Sequence, residues 1–274
     1  MSIEIIKTEH SIKGEKRRKI RRWFHKLVLA LAILIPLFFL VSTFGVKFGL
    51  WGWKTGLGLN FKFAPILLPA LALFGVVGLL LAAIIQPRKG FLVSGLALFI
   101  GAAGLIHGAG VKKTAESLPF IHDITTDTQN VPSFTNAILS ERAKVEGVNT
   151  VDYVGKKDKP DGKLISVLQS QAQAYADIRP LILEDQPSVV FGQAKAAVKQ
   201  MGWALKSEDV EGGIIEATDT TFWYGFKDDV VIRIRPSEGG GSVLDVRSIS
   251  RVGGSDIGAN AARIRKFLAI MGAA

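Results

Sequence analysis

The sequence predicts three transmembrane helices followed by a soluble α+β domain, in which helices flank a four-stranded antiparallel sheet in a two-layer arrangement. Three apolar runs near the N-terminus have the roughly 20 residues that a helix needs to cross a hydrocarbon core of about 30 Å. Four strand-like runs near the C-terminus are joined by short turns, and amphipathic helical patterns stand on either side of them. The predicted parts are a basic segment (1–26), the transmembrane region (27–110) and the soluble domain (112–274).

Charge divides the chain at the same place. The net charge is +10, and residues 1–111 carry 14 Lys and Arg against 3 Glu, whereas residues 112–274 carry 20 basic and 21 acidic residues. Because the excess lies in the membrane half, the high isoelectric point does not indicate a nucleic-acid partner. The chain has no cysteine. This absence excludes disulfides, a thiolate nucleophile and zinc held by cysteine.

The first apolar run, residues 27–44, follows a segment with nine Lys and Arg residues. A basic segment before an apolar run is also the pattern of a signal peptide. A cleaved signal, however, has a shorter apolar region of about 7–15 residues, and here two more apolar runs follow. We therefore expect this run to be a retained transmembrane helix.

Residues 63–86 and 91–110 form the second and third apolar runs, and a tight basic turn at 87–90 joins them. So short a connection predicts an antiparallel helical hairpin. Gly104 and Gly108 in the third run have the GxxxG spacing that lets helix backbones approach closely. The spacing is consistent with a homo-oligomer, in which two copies pair here, but we favour packing inside one chain because glycine is common in membrane helices.

Basic residues near the apolar runs predict the orientation, because short basic segments stay in the cytoplasm. The nine N-terminal Lys and Arg residues and the basic turn at 87–90 both favour a cytoplasmic N-terminus. Three lysines in the first loop, together with Lys112 and Lys113, favour the opposite orientation. Following the larger cluster, we expect a protein of the bacterial inner membrane with its C-terminal domain in the periplasm.

The soluble part opens with two stretches that lack a helical pattern. Residues 118–137 are rich in Pro, Thr, Asn and Asp, which predicts extended or turning chain, and residues 138–162 form a polar loop-like stretch. Apolar spacing then predicts a helix over residues 163–176. A second helix is predicted over residues 187–202, since a proline suits its first turn and a glycine suits its end.

The four strand-like runs are residues 203–208, 213–220, 229–235 and 243–250. Short connections between such runs require antiparallel neighbours. In the third run, apolar residues alternate with Val231, Arg233 and Arg235, so one face should be buried and the other basic. The chain closes with a helix over residues 255–271, in which Ser255 is the predicted cap.

Two motifs resemble a known family. The segments PFIHDITTD at 119–127 and DVRSISRVGGSDIGANAARIRKFL at 245–268 are similar to an envelope- and thylakoid-associated family known as domain of unknown function 1499 (DUF1499). The resemblance implies that residues 118–270 form a family unit and that the three spans are its membrane carrier. It implies no catalytic or ligand-binding residues.

His122, Asp123 and Asp127 form the cluster that most resembles an active site. Imidazole and carboxylates can ligate a metal or transfer protons. Asp and Thr side chains also bond their own backbone in turns, however, and His122 could simply hold such a turn. We favour the structural turn, and we expect neither a metal nor a cofactor.

Two further groups have a functional and a structural interpretation. Arg233, Arg235, Arg247 and Arg251 could form a basic sheet face that grips a phosphate or carboxylate, but a solvated face with Asp245 as cross-strand partner explains them as well. Aromatic residues at 222–226 could line a pocket. We favour the structural interpretation for both groups and expect the aromatic residues in the core.

The sequence therefore favours a membrane-anchored envelope protein whose periplasmic α+β module binds a lipid, an envelope polymer or a protein partner without catalysis. The alternative is a hydrolase or metal-dependent enzyme that uses His122, Asp123 and Asp127. A buried turn at these residues favours the binding module, whereas a cleft that holds the turn beside Tyr175 or the arginines favours the enzyme.

Overall fold

The computed structural model describes residues 2–153, 156–158 and 164–273. The chain divides into two compact units, Met1–Lys112 and Lys113–Ala274. We call them unit 1 and unit 2 and describe each by itself.

Unit 1 is built from long helices: α1 (Ser2–Lys47), α2 (Trp53–Ile84) and α3 (Phe91–Ser117), the last of which runs into unit 2. Each contains a stretch long and apolar enough to cross a membrane, which indicates membrane association. Helix α1 extends through the basic segment as well. Lys, Arg and Glu are good helix formers, and residues 13–26 contain no proline and only the isolated Gly14, so the helix continues into the apolar run.

Small residues bring α2 and α3 close together. A Cβ added at Gly101 would lie 2.6 Å from the backbone N of Ala72, and one added at Gly75 would lie 2.5 Å from the backbone N of Leu98. Of the predicted GxxxG pair, Gly104 packs on Leu68 of the same chain, while a Cβ at Gly108 would meet nothing within 4 Å. Pairing of two copies through these glycines stays a prediction.

Unit 2 contains eight strands and four helices within the described residues. In chain order they are β1 (Asp123–Thr125), α4 (Asn136–Arg142), β2 (Lys156–Asp158), β3 (Leu164–Ser166), α5 (Val167–Ala174), β4 (Leu181–Leu183), α6 (Pro187–Gln200), β5 (Ala204–Asp209), β6 (Ile214–Thr220), β7 (Lys227–Pro236), β8 (Ser242–Ser250) and α7 (Ala259–Met271). The main sheet has the order β1-β8-β7-β6-β5, with β4 also paired to β8, and all its pairs are antiparallel. Strands β2 and β3 form a separate pair.

The sheet differs from the predicted one in its number of strands. Strands β5 to β8 correspond to the four predicted runs, but the sheet has six strands because β1 and β4 add to β8. Thr125 pairs with Arg247 and Leu181 with Leu244, so the two short strands occupy successive parts of one β8 edge. A three-residue strand is too short to show alternation, and its pairing depends on a partner far along the chain.

Several helix boundaries also differ from the prediction. Helix α4 lies across the junction of the stretches predicted as extended chain and as polar loop, and the helix predicted over residues 163–176 is divided into strand β3 and helix α5. Helix α7 begins at Ala259, after Gly258 with φ 80°. Asp256, rather than Ser255, caps it, since its carboxylate accepts from the backbone N–H groups of Gly258 and Asn260.

Both faces of the main sheet are covered. Helices α6 and α7 pack on the first face, where Phe267 is fully buried and stacks on Trp203 with ring centroids 5.5 Å apart. On the second face, Phe134 and Ile138 form a buried cluster with Val231 and Ile249. The prediction of an exposed basic face is therefore wrong, because the stretch around Phe134 and Ile138, which was expected to be extended or loop-like, folds back over this face.

Candidate functional site

The second face of the sheet brings the four predicted arginines together. In the antiparallel register Arg233 lies opposite Asp245, and Val231 lies opposite Arg247. Alternation along β7 and β8 therefore places these arginines on one face with Asp229 and Asp245. Arg247 is only 3% exposed and Arg251 only 4%. The face is a buried network of ion pairs rather than an open basic surface.

Arg247 and Asp123 form the first of these pairs. The guanidinium donates two hydrogen bonds, of 3.0 and 2.7 Å, to the carboxylate. Arg247 also donates to the carbonyls of Pro132 and Val151 and lies over the rings of Phe134 and Tyr153. Burial raises the pKa of Tyr153, and the negative charge of Asp123 raises it further. Asp123 is thus a structural counter-ion that attaches β1 to β8.

Asp229 is the centre of the second group. Its carboxylate is fully buried and accepts from Arg142, Arg251 and the Thr218 hydroxyl. Arg251 also donates to Glu141 over 2.9 Å. This hydrogen bond and another from Lys206 lower the pKa of Glu141 to about 2. The group connects helix α4 to the sheet.

Arg233 and Arg235 form the third group, with Asp127 and Asp245. Both guanidinium groups donate to Oδ2 of Asp245 over 2.8 Å and reach Oδ2 of Asp127 at 3.2 and 3.3 Å. Oδ1 of Asp245 is buried and accepts no hydrogen bond from the described residues. The side chain of Arg235 is 40% exposed, so this group is the part of the arginine network that reaches the surface.

The three predicted catalytic residues lie in separate environments. The backbone carbonyl of His122 accepts from the Ser250 N–H and the Asn260 amide, which continues the pairing of β1 with β8. Successive residues of an extended chain point to opposite faces, so the side chains of His122 and Asp123 do not share a face. Asp127 belongs to the third group, and its Oδ1 accepts from two backbone N–H groups of the next turn. The described residues contain no group of three or more His, Asp or Glu side chains that could hold a metal.

The aromatic cluster at residues 222–226 lies on the surface, so the prediction that it belongs to the core is wrong. Phe222 and Trp223 are 66% and 55% exposed, and they occupy the turn between β6 and β7. Thr221 closes this turn, since its hydroxyl accepts from the backbone N–H of Phe226. The apolar character of Phe222 and Trp223 favoured burial, but in this turn most of the surface of both residues is exposed.

Several residues of the network were missed by the sequence reasoning. Gln171 is 2% exposed, and its amide bonds both the N–H and the C=O of Thr125, as a neighbouring strand would. Asn260 and Arg263 join helix α7 to β7 and β8. The sequence carries one signal of such a network, since Asp229 and Asp245 lie inside otherwise apolar strands. A carboxylate in a buried strand needs a cationic partner.

Comparison with known proteins identifies a family for the chain. A family model described as protein of unknown function (DUF1499) matches residues 123–271, which is more than half of the chain. No curated protein matches the chain.

Proposed function

The chain belongs to the DUF1499 family of proteins of unknown function, and we propose that it is a membrane-anchored envelope protein whose C-terminal module binds a partner without catalysis. The partner is a lipid, an envelope polymer or another protein. The three apolar helices of unit 1 would keep the module at the membrane. We further propose that this is the bacterial inner membrane, with a cytoplasmic N-terminus and unit 2 in the periplasm.

The exposed aromatic pair in unit 2 carries this proposal. Phe222 and Trp223 lie edge to face, with ring centroids 5.1 Å apart, and more than half of each side chain is exposed. Exposed apolar groups often mark interaction sites, and tryptophan is enriched among the residues that contribute most to binding. An acyl chain, the apolar part of a polymer or an apolar protein surface would cover these rings.

The arginine network supports binding rather than turnover. Arg247 and Arg251 are buried and neutralised by carboxylates of the same chain, so they hold the fold together and are poorly placed to act on a substrate. Arg235 keeps a large exposed surface. Of the four arginines predicted to bind a ligand, it has the best access to an anionic group on a partner.

The alternative, a hydrolase or metal-dependent enzyme that uses His122, Asp123 and Asp127, has less support. His122 is 6% exposed and Asp123 3%, whereas a general acid or base must come within hydrogen-bond reach of the substrate. The carboxylate of Asp123 is held by two hydrogen bonds from Arg247. Protonating it or moving it would leave that buried cation without its partner.

Native mass spectrometry of the full chain tests both functions. In a mild detergent, the wild type should retain a lipid, polymer or protein that a Phe222→Ser/Trp223→Ser variant loses. Val210→Ser is the matched control, since Val210 is 64% exposed in the turn between β5 and β6. Equal retention by all three proteins would contradict the proposal. A stoichiometric metal in the wild type that His122→Ala lacks would favour the enzyme.

A further inference from the structure

A cavity of about 580 Å³ lies in unit 1, where helix α1 meets the turn between α2 and α3. Four of the side chains that line it are exposed cations: Arg18, Arg22 and Lys26 from α1, and Lys89 from the turn. Glu15 is the one carboxylate among the lining residues. The cavity is therefore strongly electropositive.

One wall of this cavity is fixed by hydrogen bonds. Arg21, only 4% exposed, donates to the carbonyl oxygens of Ile85, over 2.6 Å, and of Pro87. The ring of His25 bonds the Arg21 and Gly78 carbonyls. These contacts attach α1 to the end of α2 and to the turn. The backbone segments that carry the cationic side chains are thus joined before a ligand binds, which lowers the ordering cost of binding.

The exposed cations around the cavity differ in their described ion pairs from the buried arginines of unit 2. Among the described side chains, no carboxylate forms an ion pair with Arg18, Arg22 or Lys89, whereas Arg247, Arg251 and Arg263 each hold at least one carboxylate. An anionic group from outside the chain would complete this cluster. A phosphate has the charge and the acceptor oxygens that guanidinium and ammonium groups bind.

The apolar part of the lining indicates that the ligand is amphipathic. Leu29 and Val93 line the same cavity as the cations and lie in the apolar runs of α1 and α3. Arg18 and Arg22 are four residues apart on one helix face, and Leu29 follows two turns later on that face. A ligand in the cavity would meet cations first and apolar side chains next.

We propose that this cavity binds the phosphate-bearing headgroup of an anionic phospholipid, with the upper acyl chain against Leu29 and Val93. Basic pockets between membrane helices bind such headgroups by the same electrostatics. Inorganic phosphate shares the headgroup's chemistry but offers nothing to the apolar wall. This inference concerns unit 1 alone and does not depend on what unit 2 binds.

The test compares charge removal inside and just outside the cavity. The full chain is placed in nanodiscs of phosphatidylcholine with about 20% phosphatidylglycerol, which supplies the anionic lipid. The lipid that stays bound after transfer to detergent is counted by native mass spectrometry. Arg22→Gln/Lys89→Gln should lower retained phosphatidylglycerol about tenfold or more. The control Arg17→Gln/Arg88→Gln removes the same charge from adjacent residues that do not line the cavity, and should change retention less than about twofold.

Three results would overturn the proposal. Equal losses in the two double variants would mean diffuse attraction of anionic lipid to a basic segment. Equal retention of phosphatidylcholine and phosphatidylglycerol would show that the charge of the headgroup does not determine binding. Displacement of the lipid by millimolar inorganic phosphate would assign the site to free phosphate. Circular dichroism monitors folding, and if the cavity variant unfolds, the single variants Arg18→Gln and Arg17→Gln make the same comparison.

Discussion

Charged residues inside unit 2 act in groups, and each group attaches another segment of the chain to the long strands β7 and β8. Asp123 with Arg247 attaches β1, and Asp229 with Arg142 and Arg251 attaches α4. A buried ion pair adds little net stability compared with apolar residues of the same shape, but removing one partner leaves an uncompensated charge. Single substitutions in these groups should therefore be costly.

Asp229→Asn tests this expectation. The substitution removes the carboxylate charge that neutralises Arg142 and Arg251, so the free energy of unfolding should fall by about 3–5 kcal/mol. Chemical denaturation of the full chain in detergent measures the loss. Asp177→Asn is the control, because its pair with Arg265 is exposed on both sides and should contribute no more than about 1 kcal/mol. Similar losses in the two variants would mean that the Asp229 group is not a buried network.

Glu141 provides a prediction for the dependence of stability on pH. Its pKa falls from the ordinary 4.5 to about 2, chiefly through the hydrogen bond from Arg251. A lowered pKa means that the folded state binds the proton less tightly than the unfolded state, so this stabilisation is complete above pH 4.5 and is lost as the pH falls towards 2. The difference in unfolding free energy between wild type and Glu141→Gln should shrink across that range. If the difference in unfolding free energy did not change with pH, the charge of the Glu141 carboxylate would not contribute to stability.

At the scale of elements, α7 is the helix that closes the first face of the sheet. Its buried side chains include Ala261, Ile264, Phe267 and Met271, while Arg265 points outwards to Asp177. The turn between β6 and β7 carries equally large apolar side chains, but Phe222 and Trp223 in it are mostly exposed. Burial, rather than residue type, should decide how much each aromatic side chain contributes to stability.

Two phenylalanines make this comparison directly. Phe267→Ala should lower the free energy of unfolding by about 3–5 kcal/mol, because a fully buried ring is replaced by a cavity beside Trp203. Phe222→Ala removes a ring that is 66% exposed and should cost no more than about 0.5 kcal/mol. Thermal unfolding of both variants, followed by near-ultraviolet circular dichroism, measures the two effects. A large loss in Phe222→Ala would mean that the turn is covered by part of the protein.

At the scale of the whole molecule, the separation of charge has a structural basis. In unit 2, acidic and basic side chains form ion pairs with one another, and several of these pairs are buried inside the fold. Unit 1 holds most of its cations at the start of α1 and in the turn between α2 and α3. We therefore expect both basic segments to lie on the same side of the membrane, and the distribution of positive charge favours the cytoplasmic side.

A reporter fusion tests this orientation. An enzyme that is active only outside the cytoplasm, fused after Ala274, should be active, because three crossings from a cytoplasmic N-terminus place the C-terminus outside. The same enzyme fused in the turn at residues 87–90 should be inactive. The reverse pattern would require the opposite orientation and would remove the proposed periplasmic location.

The elements with long, regular patterns were predictable from the sequence. The three apolar runs, strands β5 to β8 and helices α6 and α7 all repeat a pattern over many residues, and period and length are local properties of the chain. The alternation in β7 and β8 also indicates which side chains share a face, because the two-residue period of a strand is a local property. A helix boundary such as that of α7 was less predictable, because Asp256 caps it from three residues before its start.

The sequence by itself determined that the chain has a part with three apolar helices suited to a membrane and a charge-balanced part, and which residues alternate on the long strands. Only the tertiary structure decided that β1 and β4 extend β8, that residues 132–151 cover the arginine face, and that Phe222 and Trp223 remain exposed. The physical reason is that burial and ion pairing depend on segments far apart in sequence. Arg247 meets Asp123 across 124 positions, and no local pattern records which carboxylate will neutralise a given arginine.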